Sequence, residues 1–184
     1  MDTDKKSVLL RVHPCPTYLQ MDASHISTYL LAHRIPGELV HLPAHVPTVE
    51  AAARAVGTSV ERIVKSLLFL ADHQPVLVVA NGTARVDYKR VADYLGLPRK
   101  RVKMADAPIV LEITGFPVGT VPPFGHKTRL RTLIDAGVLA QPEVYAGGGG
   151  IDALLRIAPD EIVKATNAET VSVVAMSESA PNPL

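Results

Sequence analysis

The hydrophobic pattern is strongest in the middle of the chain. Pro75-Val76-Leu77-Val78-Val79-Ala80 is nearly continuous in apolar residues, which predicts a strand buried on both faces. Just upstream, Ile63 to Ala71 predicts another strand, apolar with one lysine, Lys65, in its middle. Asn81-Gly82 ends the later strand as a turn. Helical segments alternate irregularly with these. Asp22 or Ser24 can cap a helix to about His33, which Pro36-Gly37 stops before a short strand at Glu38 to Leu42. Thr48 caps Val49 to Val56 ahead of Gly57, and Asp87 caps Tyr88 to Leu95 ahead of Gly96. Val102 to Met104 predicts a strand and Ala105 to Glu112 a helix. Arg131 to Ile134, Glu143 to Tyr145, Ala153 to Ile157 and Val171 to Ala175 all read as strands. Pro159 suits the first turn of a helix through Ala165. Short strands outnumber helices without strict alternation, so the fold class is α+β (mixed α/β) with a mixed sheet, not a doubly wound one. Residues 1–21 read as an N-terminal extension, 22–176 as a single domain and 177–184 as a flexible polar tail.

Composition sharpens this picture in a few places. A chain of 184 residues, 47% apolar and 20% charged, is expected to form one domain with a real core. No apolar run reaches the roughly 18 residues of a membrane span. Val8-Leu9-Leu10 is too short for the core of a signal peptide. The single cysteine, Cys15, excludes an internal disulfide and suits a reducing, cytoplasmic setting. Trp is absent and aromatics are scarce, which argues against a base-stacking platform. The net charge of +1 hides an asymmetry, because Arg85 to Arg131 hold ten Lys/Arg against four Asp/Glu. Such a region fits modest, local contact with a polyanion, or simply a solvated face.

Two features carry candidate chemistry. The twelve residues from Gly115 to His126 contain three glycines and three prolines, a density that specifies a rigid, shaped loop. Such a loop is either a surface crossover or a binding element held by the scaffold. Lys65 shares a strand face with Ile63 and Leu67, so it either snorkels from an edge or stands in a cleft as a fixed cation. Gly125-His126-Lys127-Thr128 is not a phosphate-binding P-loop, since His126 interrupts Gly-Lys-Thr and Pro122-Pro123 breaks the strand-loop-helix context. His13, His25, His33, His41 and His73 show no metal-ligand spacing.

Five segments in order carry a resemblance. They are Val64-Lys65-Ser66-Leu67-Leu68-Phe69, the stretch Val86 to Gly96, Met104-Ala105-Asp106, the loop from Gly115 to Gly125, and Tyr145-Ala146-Gly147-Gly148-Gly149-Gly150-Ile151-Asp152. From about His25 to Ala175 the chain resembles the YbaK/prolyl-tRNA-synthetase-associated editing domain family. The resemblance implies a central mixed, barrel-like β-sheet flanked by helices. It implies hydrolysis of the aminoacyl ester of mischarged tRNA by a free-standing, trans-acting deacylase, most plausibly on tRNA charged for proline. It calls for no cofactor and no metal. The implied partners are the acceptor end of mischarged tRNA and prolyl-tRNA synthetase.

Residue by residue, Lys65 matches the family's signature lysine, expected to hold the 3′-terminal adenosine or the scissile ester. Gly115 and Gly119 match loop glycines whose backbone N–H groups can serve the developing oxyanion. Gly125 follows in the same loop, and Gly147, Gly148 and Gly149 are expected to form the facing wall. Asp152 could orient the substrate amino group or merely cap a turn. His45 matches a histidine ahead of the second helix, where a structural role is the better reading. The segment from Tyr145 to Asp152 is about two residues shorter than in some relatives. His126 stands where relatives often carry a glutamine-like residue, which argues against a catalytic histidine. Arg99, Lys100 and Arg101 are expected to touch tRNA phosphate. The rival reading is a non-catalytic module of the same fold that grips a tRNA end or a partner protein.

Overall fold

The computed structural model describes residues 20–43 and 46–175. Capping chemistry sets the helix boundaries. In α1 (Ala23–His33) the Asp22 carboxylate accepts from the N–H groups of Ser24 and His25, and Arg34 closes the helix at φ 53°. After β1 (Gly37–His41), α2 (Val49–Ala55) starts at Thr48, whose hydroxyl accepts from Ala51 N–H at 3.1 Å. β2 (Val64–Ala71) and β3 (Gln74–Asn81) form a hairpin. Asp87 then caps α3 (Tyr88–Tyr94).

β4 (Val102–Met104) leads into α4 (Ala107–Thr114), which begins two residues later than the pattern predicts. Ala105 N–H is committed to Leu68 C=O at 2.9 Å, and the Asp106 side chain caps Ile109 N–H instead. The chain continues through β5 (Arg131–Asp135), α5 (Ala136–Leu139), β6 (Val144–Gly147) and β7 (Ala153–Ile157). It ends in α6 (Pro159–Thr166) and β8 (Glu169–Val171). α5 carries too few residues to show a period. The last strand stops at Val171 rather than running to Ala175, because Val173 and Val174 donate to the Asp135 carboxylate at 2.9 and 3.2 Å. Val174 then bridges Val86.

The architecture is mixed α+β, as the strand pattern predicts. Five strands run in the order β4-β2-β3-β5-β8 and three in the order β1-β7-β6. β3 pairs antiparallel with β2 and parallel with β5, so the larger sheet is mixed. The expected barrel-like sheet is resolved into these two sheets, joined where Ile63 bridges Tyr145, without closing into a barrel. β4 covers β2 only from Phe69 to Ala71, which leaves the first half of that strand edge open. The continuous apolar run of β3 has the expected cause. Leu77 and Val79 pack into a core with Ile26, Phe116 and Leu155, while Val76, Val78 and Ala80 pack with Phe69, Val91 and Val102.

Candidate functional site

The open edge of β2 forms one wall of a cleft of about 350 Å³. Val64 to Leu68 line it continuously, with α2 and the Val46-Pro47-Thr48 segment on one side and Val118 to Val121 on the other. Met104, Ala105 and Val110 extend the wall beyond β2, and Gly147, Gly150 and Ile151 complete it.

Lys65 stands in this cleft, half-buried, and its ammonium is fixed. Nζ donates to Gly82 C=O at 2.8 Å and to Ala84 C=O at 2.7 Å. An ammonium has three donors, so one remains for a ligand. Burial pushes its pKa below that of an ordinary lysine, since desolvation disfavours the charged form. Of the two readings open from the sequence, the geometry matches the fixed cation. The turn after β3 is therefore what anchors the ammonium. The dipeptide Asn81-Gly82 signals a turn in the sequence, but nothing there tells that its carbonyls receive Lys65.

The proline-glycine loop reaches the cleft through Val118-Gly119-Thr120-Val121. Gly119 adopts φ 93°, and a side chain there would meet open space within 4 Å. Its N–H has no partner among the described residues, whereas Thr120 N–H and hydroxyl both donate to Pro117 C=O at 3.1 and 3.0 Å. The glycine-rich segment buttresses the loop from behind. A Cβ on Gly147 would lie 2.7 Å from Thr120 C=O and 2.5 Å from Val121 C=O, and Gly149 N–H donates to Thr120 C=O at 3.0 Å. Only a glycine permits this approach.

The remaining sequence candidates fall elsewhere. Gly115 caps the C-terminus of α4 at φ 85° and accepts from Met21 N–H at 2.8 Å, outside the cleft. Gly125 lies on a second cavity with Tyr29, His33 and His126, and its C=O accepts from His25 Nε2 at 3.0 Å. Gly148 packs against Ala153 backbone and Gly149 against Asp22 C=O. Asp152 is exposed, and its C=O receives Leu42 N–H at 2.7 Å. His45 lies outside the described residues. His126 donates from Nε2 to Pro122 C=O at 2.9 Å, and burial pushes its pKa down to about 4 against the opposing effect of that bond. It is thus a neutral buttress of the loop.

Arg99, Lys100 and Arg101 form an exposed one-turn 3-10 segment beside the far end of β2, where Asp72 N–H meets Arg101 C=O. Seven residues of strand, about 23 Å, separate that point from Lys65. Arg99 lies over the Tyr88 ring at 4.5 Å and Arg101 pairs with Asp72 at 3.0 Å. Lys100 has no side-chain partner among the described residues.

The family model for the aminoacyl-tRNA editing domain matches residues 43–165. The YwhH protein of Bacillus subtilis, uncharacterized, is 28% identical over 143 residues, covering 77% of this chain and 89% of that one. The proline–tRNA ligase of Thermosipho melanesiensis is 33% identical over 111 residues, 60% of this chain but only 19% of the ligase. A crystal structure whose description proposes a trans-editing enzyme for prolyl-tRNA synthetase superposes with a TM-score of 0.78 at 34% identity, covering 89% of this chain and 99% of that one.

Proposed function

Because this chain belongs to the aminoacyl-tRNA editing domain family, we propose that it is a trans-acting deacylase that hydrolyses the ester of mischarged tRNA. The observation that carries this reading is the Lys65 ammonium, anchored by two carbonyls with one donor left over, inside a cleft bounded by the Gly119 turn. An aminoacyl ester is already activated, so the site needs placement and donors rather than a strong nucleophile. Lys65 binds the 3′-terminal phosphate or the ester oxygen. Gly119 N–H serves the developing oxyanion, and water attacks the ester carbon. Gly147 and Gly149 hold the loop to that task, and Gly115 and Gly125 set its two ends. Asp152 and His45 remain candidate substrate contacts, and the exposed Arg99–Arg101 turn meets phosphate farther along the acceptor stem.

The similarity to ligases for proline and to the trans-editing structure supports tRNA charged for proline as the substrate and prolyl-tRNA synthetase as a partner. Residues 22–176 act as one unit. The test is deacylation of a panel of mischarged tRNAs, including tRNA for proline bearing alanine, cysteine or serine. Turnover of at least one is expected. Binding of tRNA without turnover of any would leave the non-catalytic module as the function.

A further inference from the structure

The open edge of β2 supports an inference that rests on the deacylase reading and specifies how the amino acid is held. The β2–β3 register runs without a break from Val64↔Asn81 to Ala71↔Gln74. Along an antiparallel strand, successive residues turn their backbone N–H and C=O to alternate sides. Ile63 C=O accepts from Gly82 N–H at 2.7 Å, on the β3 side. Leu68 C=O accepts from Ala105 N–H at 2.9 Å, on the opposite side. Ser66 has the parity of Leu68, so both its N–H and its C=O face away from β3, towards the cleft it lines. β4 does not reach it, since that pairing begins at Phe69. Below it, the Ile63–Tyr145 bridge closes the edge.

Ser66 is thus left at an open strand edge. No strand of the described residues pairs with Ser66 on that side. Its hydroxyl is buried and unpartnered. Buried polar groups are paired in the great majority of cases, and a strand edge without a neighbour presents main-chain donors and acceptors that a ligand can pair.

We propose that Ser66 is the docking point of the aminoacyl group, which adds to β2 as a single residue of an antiparallel strand. Ser66 N–H donates to the ester carbonyl oxygen, and Ser66 C=O accepts from the α-ammonium. Two facing residues in a hydrogen-bonded antiparallel pair exchange these two bonds, and an α-amino ester carries the one donor and one acceptor required. The Ser66 side chain shares a strand face with Val64 and Leu68, which pack in the core. Recognition then reads what all α-amino acids share, and the cleft walls sort side chains. During hydrolysis water oxygen bonds to the ester carbon and the ester C–O bond breaks. The ribose oxygen leaves with a proton from that water. Ser66 forms no covalent bond; its N–H meets the charge that gathers on the carbonyl oxygen.

The test compares wild-type protein on an aminoacyl-tRNA that it hydrolyses and on the matched acyl-tRNA that lacks the α-amino group. Each rate is corrected for its own uncatalysed hydrolysis. Loss of a charge-assisted bond should lower kcat/KM by about tenfold or more. Ser66→Pro removes the N–H while sparing the β3 ladder, and should lower kcat by a similar factor with circular dichroism and Tm retained. Equal corrected kcat/KM for the two substrates overturns the proposal, as does wild-type kcat in a folded Ser66→Pro protein. Should Ser66→Pro fail to fold, the substrate pair alone decides. A wild type inert towards every aminoacyl-tRNA overturns the deacylase reading and this one with it, whereas activity without amino-group dependence overturns this one alone.

Discussion

Lys65 and His126 illustrate how one residue's environment assigns its work. Replacing Lys65 by Met keeps most of the side-chain volume but strands Gly82 and Ala84 carbonyls, which lose their donor. A cost of about 1–3 kcal/mol is expected where water cannot replace it. Deacylation should fall by a factor on the order of 100, as for a lost charged contact in the transition state. A folded Lys65→Met protein with undiminished kcat/KM would refute the assignment. His126 has a pKa of about 4 in the fold against 6.5 ordinarily. Below 6.5 the unfolded chain takes up a proton that the native state refuses, so stability falls as pH drops from about 6.5 towards 4. The loss is up to about 3 kcal/mol. His126→Gln keeps an N–H for Pro122 C=O and removes the titration. Thermal unfolding between pH 7 and 5 should then show a smaller Tm decrease than in the wild type.

At the scale of elements, the loop from Pro117 to Val121 and the strand end at Gly147 act as one body. Gly147→Ala would push a Cβ into two loop carbonyls at 2.5 and 2.7 Å. Overpacking against backbone costs about 1–3 kcal/mol and should displace Gly119, so both Tm and kcat are expected to fall. Gly119→Ala meets no atom, and only its φ of 93° is strained. That costs about 1–2 kcal/mol. Activity should suffer more than Tm there, because the turn faces the cleft. Denaturation curves and kcat measured side by side separate the two, and normal turnover in both variants would reduce the loop to a plain connector.

Across the whole molecule the charge asymmetry is partly spent inside the protein. Arg101 pairs with Asp72, Lys89 with Asp93, and Arg131 makes a two-pronged pair with Glu169 at 2.6 and 2.8 Å. With these pairs made, only part of the basic excess is left for phosphate, so tRNA affinity should fall with salt along a shallow slope of a few contacts. Charge reversal of Arg99, Lys100 and Arg101 together should raise KM more than it lowers kcat, since the turn stands far from Lys65. Titration of tRNA binding against salt checks this, and wild-type affinity in the triple variant would mark the cluster as a solvated face. The reversal at Arg101 also breaks its exposed pair with Asp72, a loss of about 0–1 kcal/mol that leaves the fold in place.

Elements whose identity depends on local chemistry were legible in the residues themselves. Asp22, Thr48, Asp87 and Pro159 mark helix starts because caps and fixed φ act within one turn. The buried character of β3 follows from its unbroken apolar run. Lys65 stood out because a lysine among apolar strand residues must be explained by a cleft or an edge. Long-range contacts were hidden from the same reading. That Lys65 reaches the Gly82 and Ala84 carbonyls, that Gly147 touches the loop at Thr120, and that Asp135 ends β8 by claiming Val173 and Val174 are pairings across 17 to 39 residues. The division of the strands into two sheets belongs there too, because pairing partners are chosen by which edges meet in space. The open edge at Ser66 exists because β4 stops short, so tertiary packing alone decided where this strand is left without a neighbour.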